Sequence, residues 1–279
     1  MSEPKFSLAY LTVVNTPPPE MAYIAAKAGY DFVSLRPIYM GLPGEPNYSL
    51  ATNKTLFLET KKALENTGLQ LLDIELARIA DGIDPIQYEP EFEVAAELGA
   101  RHVLSSIWTD NKEEAIEKFA KLCDLAAQYD LTVELEYVPI ASVSNLAKAM
   151  EVLNTVNKEN AGLMIDIHHF HRAYDTLEDL KKVPSKWFRF LHLCDAPGEI
   201  PEDREEMIRI VREGRSYVGE GGIDVASIIN SIPQVPYSIE LPNKQQMELL
   251  GTEEFARRCL LTAKKYFAKH PRKEKVNSL

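Results

Sequence analysis

The amino-acid sequence predicts a single (β/α)8 barrel spanning residues 1–279, and three observations predict it. The first is a recurring unit of amphipathic helix, turn and short apolar strand. It appears at Lys27-Ala28-Gly29-Tyr30-Asp31-Phe32-Val33, Asn66-Thr67-Gly68-Leu69, Glu97-Leu98-Gly99-Ala100 and Glu159-Asn160-Ala161-Gly162-Leu163. Each glycine sits where a left-handed residue closes a helix before a strand begins. The second observation is length: eight units of about 35 residues fill the 279 positions, as one such barrel requires. The third is the turn after the first strand. Thr12-Val13-Val14-Asn15-Thr16-Pro17 stands there in place of the glycine-rich turn of a doubly wound dinucleotide-binding sheet.

In chain order, strands are expected near 6–14, 30–35, 69–77, 101–107, 131–137, 162–167, 187–193 and 235–241, with helices between them. Thr16 before Pro17 reads as an N-cap with proline at the first helical position. Asp110 with Glu113 reads as a capping box for the fourth helix. Tyr129-Asp130-Leu131 makes the same helix-to-strand turn without glycine. Two long connections, 36–52 and 194–234, are expected to act as lids. Residues 270–279 are expected to form a flexible tail.

Composition narrows the function. Apolar residues make up 45% and charged residues 26%, enough for a sizeable core. There is no run of roughly 18 apolar residues and no signal-peptide layout at the start, so a soluble cytoplasmic protein is expected. Lys plus Arg is 31 against 42 for Asp plus Glu, a net charge of −11 that disfavours nucleic acid and anionic membranes. Cys123, Cys194 and Cys259 form no CxxC pair, which speaks against a disulfide framework or a thiolate zinc site.

Active sites of such barrels lie at the C-terminal strand ends. Four strand ends carry an ionisable group after an apolar run: Glu136 in the fifth, Asp166 in the sixth, His192 in the seventh and Glu240 in the eighth. A lone buried carboxylate costs several kcal/mol, so a convergence of these groups calls for a cation. Three carboxylates and an imidazole favour one hard to borderline divalent ion, Mn²⁺ first, then Mg²⁺, Co²⁺ or Zn²⁺. Glu134 points to the same side of its strand as Glu136 but deeper, where it could back the ligands.

These residues carry a resemblance. The segments Leu135-Glu136-Tyr137-Val138-Pro139, Asp166-Ile167-His168-His169-Phe170-His171-Arg172, His192-Leu193-Cys194-Asp195-Ala196-Pro197, Gly219-Glu220-Gly221-Gly222-Ile223-Asp224 and Ile239-Glu240-Leu241-Pro242 resemble the xylose-isomerase-like TIM barrels. That group includes sugar phosphate isomerases, keto-sugar epimerases and endonuclease IV relatives. The resemblance implies a metal held by Glu136, Asp166, His192 and Glu240, with Glu136 and Glu240 also moving protons and His169 facing substrate. It implies an isomerase or epimerase of a small keto sugar or polyol-derived ketone in carbohydrate metabolism, working by proton abstraction next to the carbonyl through a metal-stabilised enediolate. The alternative on the same parts is a dehydratase acting on a keto-polyol or cyclic hydroxyketone. One departure stands out: the epimerases carry an arginine soon after the strand-seven histidine, where this chain has Asp195-Ala196-Pro197-Gly198-Glu199.

Further substrate contacts are expected from Arg36, Arg172 and Arg215, any of which can bind an anionic group, and from Trp108 as a pocket wall. For Arg36 an ion pair with Glu75 is the competing expectation. Glu220 in the loop between strands seven and eight opposes a phosphorylated substrate. His102 and His270 are read as structural. An endonuclease lacks its further histidine ligands here, and a non-catalytic sugar-binding barrel has no use for a metal flanked by two bases. A homo-oligomer is compatible with the fold.

Overall fold

The computed structural model describes residues 3–42 and 44–272. Eight parallel strands close in sequential order: β1 Phe6–Leu8, β2 Phe32–Leu35, β3 Gln70–Ile79, β4 His102–Ile107, β5 Thr132–Glu136, β6 Ala161–Asp166, β7 Leu191–Leu193 and β8 Tyr237–Ile239, with β8 pairing back to β1. Around them run α1 Pro18–Ala28, α2 Lys54–Thr67, α3 Glu89–Glu97, α4 Lys112–Ala127, α5 Leu146–Val156, α6 Ile167–Arg172, α7 Leu177–Leu180, α8 Arg204–Glu213, α9 Val225–Ser231, α10 Lys244–Leu250 and α11 Thr252–Lys269. No helix among the described residues is long and apolar enough to cross a membrane.

Strands one, seven and eight are shorter than the apolar runs that announce them. After Leu8 the chain turns into a 3-10 helix over Tyr10–Val13. It is sewn to the last strand by the Thr12 hydroxyl, which donates to Ile239 O (2.7 Å) and accepts from Leu241 N (2.9 Å). Both conformations bury the same side chains, and an apolar run by itself does not choose between them. The caps fall one residue later than expected. Pro17 precedes α1, which begins at Pro18, and Asn111, not Asp110, accepts the Glu114 amide at the start of α4. Asp110 instead accepts from the Ser142 hydroxyl.

Gly29 closes α1 in the left-handed region (φ 90°), as expected, and Asp130 takes that conformation where glycine is missing (φ 56°). Gly162 is different. It lies inside β6, and Asn157 (φ 47°) closes the preceding helix. A Cβ on Gly162 would strike the Glu134 carboxylate, the Arg189 guanidinium and Trp187 O, so close approach rather than turn geometry demands glycine there.

Outward-facing strand residues such as Val33, Leu35, Val103, Leu163, Ile165 and Ile239 join the helices in the main core. Leu72, Leu104, Met164 and Phe190 form a second cluster; they come from β3, β4, β6 and the residue before β7, so they meet through the barrel interior. The other half of the interior is polar. Ser34 Oγ contacts Ser7 Oγ (2.8 Å), Ser238 Oγ (3.2 Å) and the Asp73 carboxyl. Burial raises the Asp73 carboxyl to about 7, and the nearby Glu75 charge adds to the shift.

Glu134 sits at the N-terminal end of the strands. It accepts from Thr132 (2.6 Å) and Arg189 (3.0 Å), with His102 at 3.2 Å. It therefore closes the floor of the barrel and does not back the ligands. The connection 194–234, expected to act as a lid, holds α8 and α9 and a bridge between Asp195 and Ser216. Of the expected tail, Arg272 donates to the Tyr237 hydroxyl (2.9 Å); residues 273–279 lie outside the described positions.

Candidate active site

Parallel strands bring residues that are distant in sequence to one rim. Glu136 ends β5, Asp166 ends β6, His192 is central in β7 and Glu240 comes directly after β8. One ligand atom from each of these four lies within 4.8 Å of the others, and all four side chains are buried. His192 Nδ1 is 3.5 Å from both Glu136 Oε1 and Glu240 Oε1, and 3.8 Å from Asp166 Oδ2. Neither ring nitrogen of His192 makes a hydrogen bond, nor does Glu136 Oε1. Buried polar atoms without partners are rare, and here they converge from β5 and β7, on either side of β6. The set has the oxygen-rich chemistry of a divalent-ion site, and the residues fit such an ion.

Burial favours the neutral form of His192, yet the Glu240 and Glu136 carboxylates override it and hold the ring pKa well above the usual histidine range. Metal binding needs the nitrogen free of its proton, so a cation would displace that proton and take over the same carboxylates. Burial likewise pushes Glu240 up, but His192 and Arg215 hold it well below the ordinary glutamate range. Asp166 is held low against burial chiefly by Arg215.

Arg215 is not where a substrate contact would place it. Only 1% of its side chain is exposed, and it donates to Asp166 Oδ2 (2.5 Å) and Glu240 O (3.1 Å), with Glu240 Oε2 at 2.9 Å. It stands behind two carboxylates of the cluster as a fixed counter-charge, with its donors directed at them. Arg172 is buried too. Its guanidinium donates to Pro197 O (2.7 Å) and lies 3.0 Å from His171 Nδ1, which ties α6 to the loop after β7.

Asp166 caps α6 by accepting the His169 amide (3.0 Å), which explains the Asp-x-x-His spacing: the cap turns His169 back over the rim. His169 Nε2 lies 3.8 Å from Glu136 Oε1. His168 packs edge-on against His169, and burial lowers its pKa to about 2, so it stays neutral. Asp166, His168 and His169 form a second close group of donors. Trp108 donates to Ser106 Oγ (2.8 Å) while Arg78 lies over its ring at 5.4 Å. Arg36 lies 4.8 Å from the centre of the Tyr10 ring and 3.4 Å from Glu75.

The amides that could have held a phosphate are already occupied. Gly219, Gly221 and Ile223 N–H groups donate to the Asp195 carboxylate at 3.0–3.1 Å, and Ala196 N does so at 2.8 Å. A Cβ on Gly221 would collide with Asp195. The glycines of this loop thus serve an internal anion. A cavity of about 590 Å³ is lined by Phe170, Tyr174, Leu177, Ile200 and Ile228, and none of the four ligand-cluster residues lines it.

Glu75 is the residue whose place the strand-end pattern leaves undeveloped. It is buried, and its charge interacts with those of Glu240, His192 and Glu136. The signal was present: Leu71-Leu72-Asp73-Ile74-Glu75-Leu76 places two carboxylates two apart in an apolar strand, as Glu134 and Glu136 do.

Similarity to known proteins agrees with this geometry. An inosose isomerase of Bacillus subtilis is 26% identical over 193 residues, covering 64% of this chain. One of Bacillus velezensis is 23% identical over 246 residues, covering 82% of this chain and 85% of its own. The chain spans 66% of the length of the Bacillus subtilis relative. The crystal structure of an IOLI protein with a bound zinc atom superposes with a TM-score of 0.77 at 21% identity, covering 95% of this chain and 99% of that one. The model of the family described as xylose isomerase-like TIM barrel matches residues 22–258, and the chain belongs to that family.

Proposed function

We propose that this protein is a metal-dependent isomerase or epimerase of a small keto polyol of the inosose type, working by proton transfer at the carbon next to the carbonyl. The observation that carries the proposal is the pair Glu136 and Glu240, each 3.5 Å from His192 Nδ1 and reaching the rim from different strands. Two carboxylates arranged around one donor set can address a carbon from two directions. The inosose isomerase relatives support the substrate class.

Glu136, Asp166, His192 and Glu240 would hold the ion, with manganese the first choice and zinc supported by the zinc-bound neighbour. When bound, the ion supplies polarisation of the substrate carbonyl, which acidifies the neighbouring C–H. Glu240, kept ionised by Arg215, takes the proton as general base. Glu136, entering the step protonated, delivers its proton from the other side, giving the epimer, or at the adjacent carbon, giving the isomer, and solvent then takes the proton from Glu240 and returns one to Glu136. His169 beside Glu136 donates to a substrate oxygen. Arg36 and Trp108 line the substrate side, and Arg215 orients the ligands from behind. Protein of this kind works as one domain in the cytoplasm on a small carbohydrate, without nucleic acid, and its net charge of −11 supports that partner choice.

The test is solvent exchange. Protein loaded with manganese or zinc is incubated with an inosose in D₂O, and deuterium next to the carbonyl is followed by NMR. Exchange by the wild type, abolished in a folded Glu240→Gln variant, is the expected result. Equal exchange by the variant removes Glu240 from the chemistry.

A further inference from the structure

Across the barrel from β6 and β7, the rim holds a charge pair that the proton-transfer chemistry does not use. Glu75 in β3 has 1% of its side chain exposed, and Arg36, just after β2, has 11% exposed. Arg36 Nε and Glu75 Oε1 are 3.4 Å apart, yet both are buried atoms without a hydrogen bond. The Tyr10 ring, 4.8 Å from the guanidinium carbon, holds the arginine in place. The two side chains neutralise each other as an ion pair, yet buried polar atoms left without a hydrogen bond are costly, and such a place suits a group that supplies one.

We propose that Glu75 and Arg36 form a diol-recognition subsite that makes the enzyme specific for an uncharged polyhydroxy ketone. Glu75 accepts from one substrate hydroxyl and Arg36 donates to its neighbour. The inference rests on the proposed function above and adds the substrate's distal end to it. A vicinal diol offers one donor and one acceptor at the spacing of adjacent carbons, which suits an acceptor and a donor held side by side. A phosphate or carboxylate placed beside Arg36 would also meet the acidic Glu75 side chain. The occupied amides around Asp195 point the same way, since they leave no backbone cradle for an anion in that loop.

The experiment compares metal-loaded wild type, Glu75→Ala and Glu75→Gln on an inosose and on its monodeoxy analogues, each lacking one hydroxyl. Glu75→Ala should lower kcat/KM on the inosose by about 10- to 100-fold, the worth of one hydrogen bond to a charged group. On the analogue lacking the hydroxyl that Glu75 holds, the loss should vanish. Glu75→Gln keeps the shape, guards against a folding defect in the alanine variant, and should show the same pattern with a smaller loss. An equal loss on the parent and every analogue would overturn the subsite while leaving the proposed function standing. Absence of turnover by the wild type on all of these ketones would refute the proposed function, and this inference with it.

Discussion

Replacing Arg215 by methionine removes the fixed guanidinium charge behind the ligand cluster, leaving His192 as the cation beside the carboxylates, and keeps much of its volume. The guanidinium is 1% exposed and pairs with Asp166 at 2.5 Å and Glu240 at 2.9 Å. Breaking a buried ion pair from one side costs about 3–5 kcal/mol, because the remaining charge is left uncompensated. For a chain of 279 residues that corresponds to roughly 5–9 °C in Tm. Urea and thermal unfolding in the presence of EDTA at pH 7 should show this loss. The pH dependence carries the sign. Asp166 and Glu240 are held below their ordinary values of 3.8 and 4.5 in the folded protein, so their contribution is fully present above those values and is lost as pH falls below them through the depressed folded values. The gap between wild type and Arg215→Met should therefore narrow on acidification. Manganese or zinc at a thousand times its dissociation constant should return about 4 kcal/mol to either protein, since the ion binds the folded form alone. A variant as stable as the wild type in EDTA at pH 7 would refute the argument, because it would show that the carboxylates need no counter-charge.

Three other outcomes are expected of the same structure. His192→Ala should weaken metal binding by about 100-fold or more, read by elemental mass spectrometry after dialysis, and unchanged occupancy would mean that another group supplies the fourth donor. Asp73, raised from 3.8 to about 7 chiefly by burial, binds a proton in the folded state that the unfolded chain has released, so stability should fall as pH rises from about 4 to 7. The effect is up to about 4 kcal/mol, and because burial raises Glu75 to about 7 as well, Asp73→Asn should reduce the slope in urea titrations without abolishing it; an unchanged slope would assign it elsewhere. Gly162→Ala should cost about 1–3 kcal/mol by denaturation, since the new Cβ meets Trp187 O at 2.7 Å as well as the Glu134 and Arg189 side chains.

Much of this molecule is legible in one dimension. The alternation of helix and strand predicts the closed barrel, because eight strands buried on both sides need apolar runs and helices to cover them. Glu136, Asp166, His192 and Glu240 stand out because an ionisable residue ending an apolar strand contradicts its surroundings unless it has work there. His169 is set by the Asp166 cap, which is a local geometry.

What tertiary structure decided is who meets whom across the barrel. Arg215 belongs to a long connection, and nothing near it in sequence tells that it turns under Asp166 and Glu240 instead of toward substrate. Glu134 shares its strand face with Glu136, yet two residues along a strand separate the floor of the barrel from its rim, and only the positions of His102 and Arg189 settle which it joins. The amides of Gly219 and Gly221 look like an anion cradle in sequence, and the fold fills them with Asp195 from just beyond β7. The alternation of elements is a local property that sequence carries, with strand ends and caps placed to within a few residues, whereas the pairing of charges depends on the register and closure of all eight strands.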